Sequence, residues 1–336
     1  MTTIYDVAKR AGVSPATVSR ALSGARGVSE ATRQRVLAVA QELQYSPNYI
    51  ARSLKKRQTN TIALIISDIT NPFFTTLARG VEDRASAYGF NTIFCNTDED
   101  PETERAYVEL VLRRQVDGLL ISSCSDGRSL SFLSKRSVPV VLVDRKVKDS
   151  SWDCVVGDSE YGAYALTKHL IEVHGKRKIA IISGPLVLST SRERVEGYTR
   201  ALKEAGVTPR EEWIVIGTYK EDFGYQATRR LLERGSSIEA IFAGNNVIAV
   251  GAIRAARELG IRVPEDLALV TFDDFDLASA LFPFLTAAKQ PAYTMGTLAV
   301  EMLLERIRGE KIRERREVVL RPEIIIRRSC GCHADS

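Results

Sequence analysis

The spacing of apolar residues changes character once along the chain. Near the start it is helical: Ile4, Val7, Ala8 and Ala11 recur every three or four residues, then Val18, Ala21 and Leu22, then Val36, Leu37, Ala40 and Leu43. These stripes predict three short helices with those residues facing inward. Thr3, Ser14 and Ser29 stand where N-caps belong, Pro15 suits a first helical position, and Gly12 suits the stop between the first two helices. From residue 60 the pattern becomes short β-rich runs separated by helical stretches. "TIALIIS", "NTIFCN", "VDGLLIS" and "VPVVLVD" form one series, and "KIAIIS", "WIVIG", "AIFAG" and "LALVTFD" a second. Such alternation predicts parallel sheets covered by helices on both faces, and two series predict two doubly wound lobes. The fold class expected is therefore α/β, with an all-α head.

Two helices joined by a tight glycine turn make a helix-turn-helix. The outward face of the second helix reads Pro15, Ala16, Thr17, Ser19 and Arg20. Small side chains there would let the helix lie close against a crowded surface, as a recognition helix does in the major groove. Pro15 and Ala16 offer apolar contact to thymine methyl groups, and Arg20 reaches guanine or phosphate. Thr17, Ser19 and Tyr5 can donate to phosphate oxygens. A helical hairpin packed on the rest of the protein would share much of this pattern.

Charge separates the two readings. Residues 1–58 hold ten Lys or Arg against three acids, while the rest of the chain holds 37 against 39. A basic head on a near-neutral body is the electrostatic footprint of a nucleic-acid binder. The 336 residues, 44% of them hydrophobic, suffice for two or three domains. Five cysteines without regular spacing (Cys95, Cys124, Cys154, Cys330 and Cys332) suit a reducing compartment. With no leader pattern or apolar run of membrane-spanning length, a cytoplasmic protein without membrane attachment is expected.

"TIYDVAKRAGVSPATVSRAL" and "YSPNYIARSLKKRQTNTIALII" closely resemble the N-terminal motif, hinge and first strand of the lactose-repressor (LacI/GalR) family of bacterial transcription regulators. The resemblance runs through nearly the whole chain. It implies a helix-turn-helix domain over 1–46, a hinge helix and linker over 47–59, and a two-lobed body like a periplasmic binding protein over 60–330. Lobe 1 would take about 60–158 and 290–318, lobe 2 about 159–289 and 319–330, leaving a tail at 331–336. In the hinge, about nine residues are too few for a stable isolated helix, so folding on DNA is expected. The resemblance makes Leu54 a minor-groove wedge, with Asn48, Arg52 and Lys55 beside it on phosphates or groove edges.

In doubly wound folds, ligands sit beyond the carboxyl ends of the strands. Asp68, Asn71, Phe73, Phe74, Asp144, Arg145, Ser183, Arg192, Arg194, Tyr219, Asn245, Asp273 and Asp274 fall there. Aromatic faces among acids, Arg and Asn suit a polyhydroxylated ligand. The resemblance assigns effector contact to Phe73, Phe74, Asp144, Arg194, Tyr219, Asn245 and Asp273, and puts Gln290 at a crossover between lobes. One departure stands out: Asn245-Asn246 replaces the family's usual Asn-Asp. The expected function is an operon repressor controlled by a sugar or sugar derivative, acting as a homodimer on a near-palindromic operator. A corepressor-dependent or global carbon regulator is the alternative. The resemblance also places dimer contact on the helix around Leu77, Gly80, Val81 and Arg84.

A sugar carrier would lack the basic head, and an enzyme would need a catalytic constellation or nucleotide fingerprint that is not visible. Cys330-Gly-Cys332-His333 has the outline of a metal clip but lacks a fourth ligand and the usual spacing. His169 and His174 read as too far apart and too isolated to help. No metal site and no cofactor are expected, and the tail is read as a mobile terminus.

Overall fold

The computed structural model describes residues 2–45, 59–233, 237–275, 284–309 and 314–332. It divides into two units, residues 1–59 and 60–336. The hinge calls at Asn48, Arg52, Leu54 and Lys55 lie outside the described residues.

The head contains α1 (Ile4–Ala11), α2 (Pro15–Leu22) and α3 (Glu30–Glu42). Each start follows from its cap. Thr3 and Asp6 form a reciprocal capping box, with Asp6 Oδ2 accepting from Thr3 N at 2.8 Å. Ser14 and Ser29 cap α2 and α3 by accepting from Thr17 N and Thr32 N. Gly12 ends α1 at φ +66°, a backbone position that costs a residue with a Cβ. Val7, Ala8, Ala11, Val18, Ala21, Val36 and Ala40 form the core. Leu37 corrects the sequence reading: it is 41% exposed, while Val39 packs on the core instead. One residue is a 100° turn of a helix, which carries Leu37 off the stripe that Val36, Ala40 and Leu43 share.

The body has two six-stranded sheets. The first has the order β11-β5-β4-β3-β1-β2, from β1 (Thr61–Ile66), β2 (Asn91–Asn96), β3 (Gly118–Ile121), β4 (Val140–Val143), β5 (Asp153–Gly157) and β11 (Glu317–Leu320). The second has the order β12-β10-β9-β8-β6-β7, from β6 (Ile179–Ser183), β7 (Ile214–Ile216), β8 (Ala240–Ala243), β9 (Ala268–Phe272), β10 (Thr286–Lys289) and β12 (Glu323–Ile325). All pairings are parallel except β10 with β12. All eight apolar runs of the sequence are strands. Strand β11, Glu317–Leu320, pairs with β5 and so belongs to the first sheet.

The chain passes between lobes three times. It leaves the first after β5 into α6 (Ser159–Glu172) and returns after β10 into α10 (Ala292–Ile307). It crosses again between β11 and β12. Helices α4 (Pro72–Ala87) and α5 (Pro101–Arg113) cover the first sheet with α10. Helices α7 (Ser189–Glu204), α8 (Glu221–Glu233) and α9 (Asn246–Glu258) cover the second with α6.

Helices α4 and α10 touch backbone to backbone. A Cβ on Gly80 would strike the carbonyl of Tyr293, and one on Gly296 that of Leu77. Leu77, Gly80 and Val81 therefore turn inward and are buried against α10 of the same chain, because a close helix crossing needs small residues on its inner side, so these three side chains do not face a partner. Arg84 faces outward in part and pairs with Glu301. No described helix is long and apolar enough to cross a membrane.

Candidate functional site

In the head, the outward residues are where the sequence put them. Tyr5 is 71% exposed, and Ser14, Ala16, Ser19 and Arg20 are exposed around the start of α2, with Pro15 and Thr17 half-buried. The hydroxyls of Ser14 and Thr17 hydrogen-bond each other at 2.9 Å. The result is a helix N-terminus whose exposed side chains are short and whose cap hydroxyls are tied together.

In the body, strand order reverses beside β1 in the first sheet and beside β6 in the second, and loops diverge at such points to leave a crevice. The two crevices face each other. The cleft between them is lined by Asp68, Asn71, Phe73, Phe74, Glu99, Asp144, Arg145, Thr190, Arg194, Tyr219, Asn245 and Asp273. Ten of the thirteen strand-end residues picked out from sequence therefore meet on one surface, among them all seven that the resemblance assigns to effector contact. Gln290 does not line it; it stands behind, donating from Nε2 to Asp273 Oδ1 at 2.8 Å. Arg192 points to solvent, and Asp274 turns away to a bidentate pair with Arg327 at 2.7 and 2.8 Å. Glu99 and Thr190 were not anticipated. Glu99 lies in a turn after β2 at φ +63°, with nothing in its local pattern to single it out.

Local structure holds these side chains rigidly. Asn71 caps α4, accepting from Phe73 N at 3.0 Å, and so aims Phe73 and Phe74 into the cleft edge-to-face at 5.1 Å. Asp144 and Asp273 both follow strands with left-handed backbone, at φ +65° and +62°. That conformation turns each carboxyl inward at a cost the surrounding fold must cover. Tyr219 follows β7 and receives a hydrogen bond from Ser191 at 2.8 Å. Asn245 caps α9.

Both arginines are buried and engaged. Arg145 donates to both Glu99 oxygens (2.6 and 2.7 Å) and to Ser67 Oγ at 2.9 Å. Burial opposes its charge, but Glu99 outweighs burial and its pKa is raised. Arg194 donates to Gly244 O at 2.6 Å, lies 3.9 Å from Asp273 Oδ2, and stacks 3.8 Å above the Phe272 ring. Asp144 is the least satisfied acid of the cleft. Burial pushes its carboxyl up to about 6 against the pull of Arg145 and Arg194, with Asp273 adding repulsion. Its Oδ1 is buried with no hydrogen-bond partner among the described residues. Burial likewise raises Asp273. At Asp68, hydrogen bonds from Thr70 and Lys220 outweigh burial and hold the carboxyl low.

The lobes also touch directly at the rim. Lys220 pairs with Asp68 at 3.0 Å, Lys146 N donates to Ser189 Oγ at 2.8 Å, and Lys146 Nζ meets Glu193 at 3.2 Å. Asn246, where a family Asp was expected, donates to Asn71 Oδ1 at 3.2 Å across the cleft. Its amide serves as an interlobe clasp; a carboxylate could not donate to Asn71 Oδ1, which already accepts from Phe73 N.

The model for bacterial regulatory proteins of the lacI family matches residues 3–48. The model for periplasmic binding proteins and the sugar-binding domain of the LacI family matches residues 59–328. An HTH-type transcriptional repressor PurR from Photobacterium profundum is 37% identical over 332 residues, covering 98% of both chains. Among solved structures, a lac repressor dimer bound to operator and the anti-inducer ONPF superposes with a TM-score of 0.86 at 28% identity, covering 98% of this chain and 99% of that one. A transcriptional regulator CelR–cellobiose complex superposes at 0.73 with 33% identity, covering 98% and 100%.

Proposed function

The chain belongs to the LacI family of bacterial regulatory proteins, and on that premise we propose that it is an operon repressor whose effector is a neutral, polyhydroxylated small molecule held between the lobes. It is a DNA-binding transcription regulator with an effector-binding body; the class of ligand and the residues that hold it are the finer step. The observation that carries this step is the charge balance of the cleft. Asp68, Glu99, Asp144 and Asp273 line it against Arg145 and Arg194, and both arginines are already committed to Glu99, Gly244 and Asp273. A phosphate would meet surplus carboxylate and, among the described lining residues, no uncommitted cation. A hydroxyl can donate to the unpartnered Asp144 Oδ1, while Phe73, Phe74 and Tyr219 offer faces to the C–H side of a sugar-like ring. The cellobiose complex of the CelR relative agrees in kind.

Titration calorimetry with neutral sugars and polyols beside their phosphorylated counterparts tests the class. Arg194→Ala and Asp273→Asn are expected to weaken the neutral ligand. Tighter binding of the phosphorylated members would refute the reading, and unchanged affinity in both variants would move the site elsewhere.

The reading gives Pro15, Ala16 and Arg20 base-edge contacts and Tyr5, Ser14, Thr17 and Ser19 phosphate contacts. A homodimer would present one head to each half-site of a near-palindromic operator in the cytoplasm, as the operator-bound lac repressor dimer suggests. The head would span 1–46 and the linker 47–59. No catalytic step is assigned to any residue. Effector and operator would be coupled reciprocally by about 1–3 kcal/mol. Gel-shift titration against the promoter of its own gene, across salt, is expected to show affinity falling steeply as salt rises; a flat response would contradict phosphate-driven binding.

A further inference from the structure

Four metal-ligating side chains that lie far apart in sequence converge in the second lobe, away from the cleft. His169 occupies the last turn of α6 and His174 follows its end. Cys330 closes a single 3-10 turn, and Cys332 lies one glycine further on. Cys330 Sγ is 3.3 Å from His169 Nε2. Cys332 Sγ is 3.8 Å from His169 Nε2 and 3.4 Å from His174 Nε2. All four donor atoms lie within 4.8 Å of one another. The sequence reading of the two histidines as too remote, and of the tail as mobile, is corrected for the described residues: Cys330 is 1% exposed and belongs to the lobe's core. His333, part of the apparent clip, lies outside the described residues.

From this geometry we infer that His169, His174, Cys330 and Cys332 form a structural zinc site. Bonds of about 2.0–2.3 Å to nitrogen and sulfur in a tetrahedron set donor atoms roughly 3.3–3.8 Å apart, the range of the three separations above. Two thiolates and two imidazoles are the donor set that zinc favours and that magnesium, calcium and manganese do not. All four ligands come from the protein, so no position is left open for substrate or water, the mark of a structural site. Two thiolates neutralise the ion, and each thiol gives up its proton on binding.

The surroundings are arranged for it. Gly331 holds φ +108°, and a Cβ there would press on the His174 ring at 3.3 Å, so the turn that brings both sulfurs to one side is open to glycine alone. Ser329 pins that turn by donating to Leu269 O at 2.6 Å and accepting from Thr286 N at 2.9 Å. The Thr286 hydroxyl, 3.1 Å from Cys330 Sγ, can donate to the sulfur once it is a thiolate. Since α6 runs away from the lobe crossing and β6 runs back toward the cleft, the site sits at the far end of the lobe. Its work is to staple the last-crossing segment to α6.

The test uses full-length protein without a histidine tag, purified under reducing conditions. Elemental analysis is expected to find zinc bound one-to-one. The stripped chain titrated with Co²⁺ is expected to develop the visible bands of a tetrahedral cobalt–thiolate centre, and its Tm is expected to rise with zinc. Cys332→Ser and His174→Gln, both at partly exposed positions, should lose the zinc and the cobalt spectrum. Absence of zinc together with an octahedral or featureless cobalt spectrum in the wild type would overturn the site, with no need for any variant to fold. So would metal retained by both Cys332→Ser and His174→Gln, or a Cys330–Cys332 disulfide in the reduced preparation.

Discussion

Asp144→Asn separates stability from function at one atom pair. The carboxyl is buried and its pKa rises from 3.8 to about 6, so the ionised form is disfavoured in the folded chain. A shift of that size corresponds to about 3 kcal/mol against the folded state. The sign follows from the direction. Above the raised folded value the full penalty applies; as pH falls through about 6 toward 3.8 it shrinks, and below 3.8 it is gone. The asparagine carries no such penalty, and Arg145 keeps its two bonds to Glu99 without Asp144. At pH 7.5 the variant is therefore expected to be more stable, by up to about 6 °C in the Tm of the body. Near pH 4 the two melting curves should coincide. Effector binding should move the other way, losing about 1.5–3 kcal/mol with the charged acceptor. Scanning calorimetry from pH 4 to 8 on both proteins, with titration of the effector at pH 7.5, reads both effects. A less stable variant at pH 7.5, or a Tm difference that ignores pH, would refute the burial argument.

Three further outcomes test other parts of the molecule. Asp153 is fully buried beneath Arg306 and Arg316, so Asp153→Ala removes the carboxylate the two arginines share and should cost about 1–3 kcal/mol by denaturant unfolding. Burial works against that carboxylate, but hydrogen bonds from Arg306 and Arg316 outweigh it and lower its pKa. Its stabilisation is thus present above 3.8 and should fade as pH drops through the lowered value. Gly296→Ala forces a methyl into the Leu77 carbonyl and should cost about 1–3 kcal/mol, read as a lower Tm. Ala16→Glu sits on the exposed face of α2 and should abolish operator binding in a gel shift while leaving the Tm within about 1 °C, since it touches no core residue.

Local signals carried the sequence reading where the physics is local. Caps, the glycine stop and apolar periodicity placed the three head helices, and runs of five to seven β-formers placed eight strands. The four missed strands depend on distant partners. β5, β10, β11 and β12 are three to five residues long, and β10 reads Thr-Ala-Ala-Lys, a composition with no β preference. In the cleft, residues directly after strong strands were legible because strand ends aim them there. Glu99 and Thr190 were not, since a loop acid and a helix-start threonine look like thousands of surface residues until tertiary contact brings them in. Leu77, Gly80 and Val81 were misplaced for a related reason: a stripe of small and apolar residues fits a subunit interface and a helix crossing within one chain equally well. The histidine–cysteine cluster was invisible because its halves lie some 160 residues apart.

The threefold passage between lobes bears on the order of events at the ribosome. Each sheet borrows a strand from the final stretch of chain, β11 for one and β12 for the other. Neither sheet can be completed until residues 317–325 have been made, whereas the head has all its core residues within the first 45. A prematurely terminated product would therefore own a folded reader of DNA attached to an unfinished sensor. Such fragments would keep the head without a sensor able to respond to the metabolite, which makes stop codons between the head and β11 a different genetic class from those within the head.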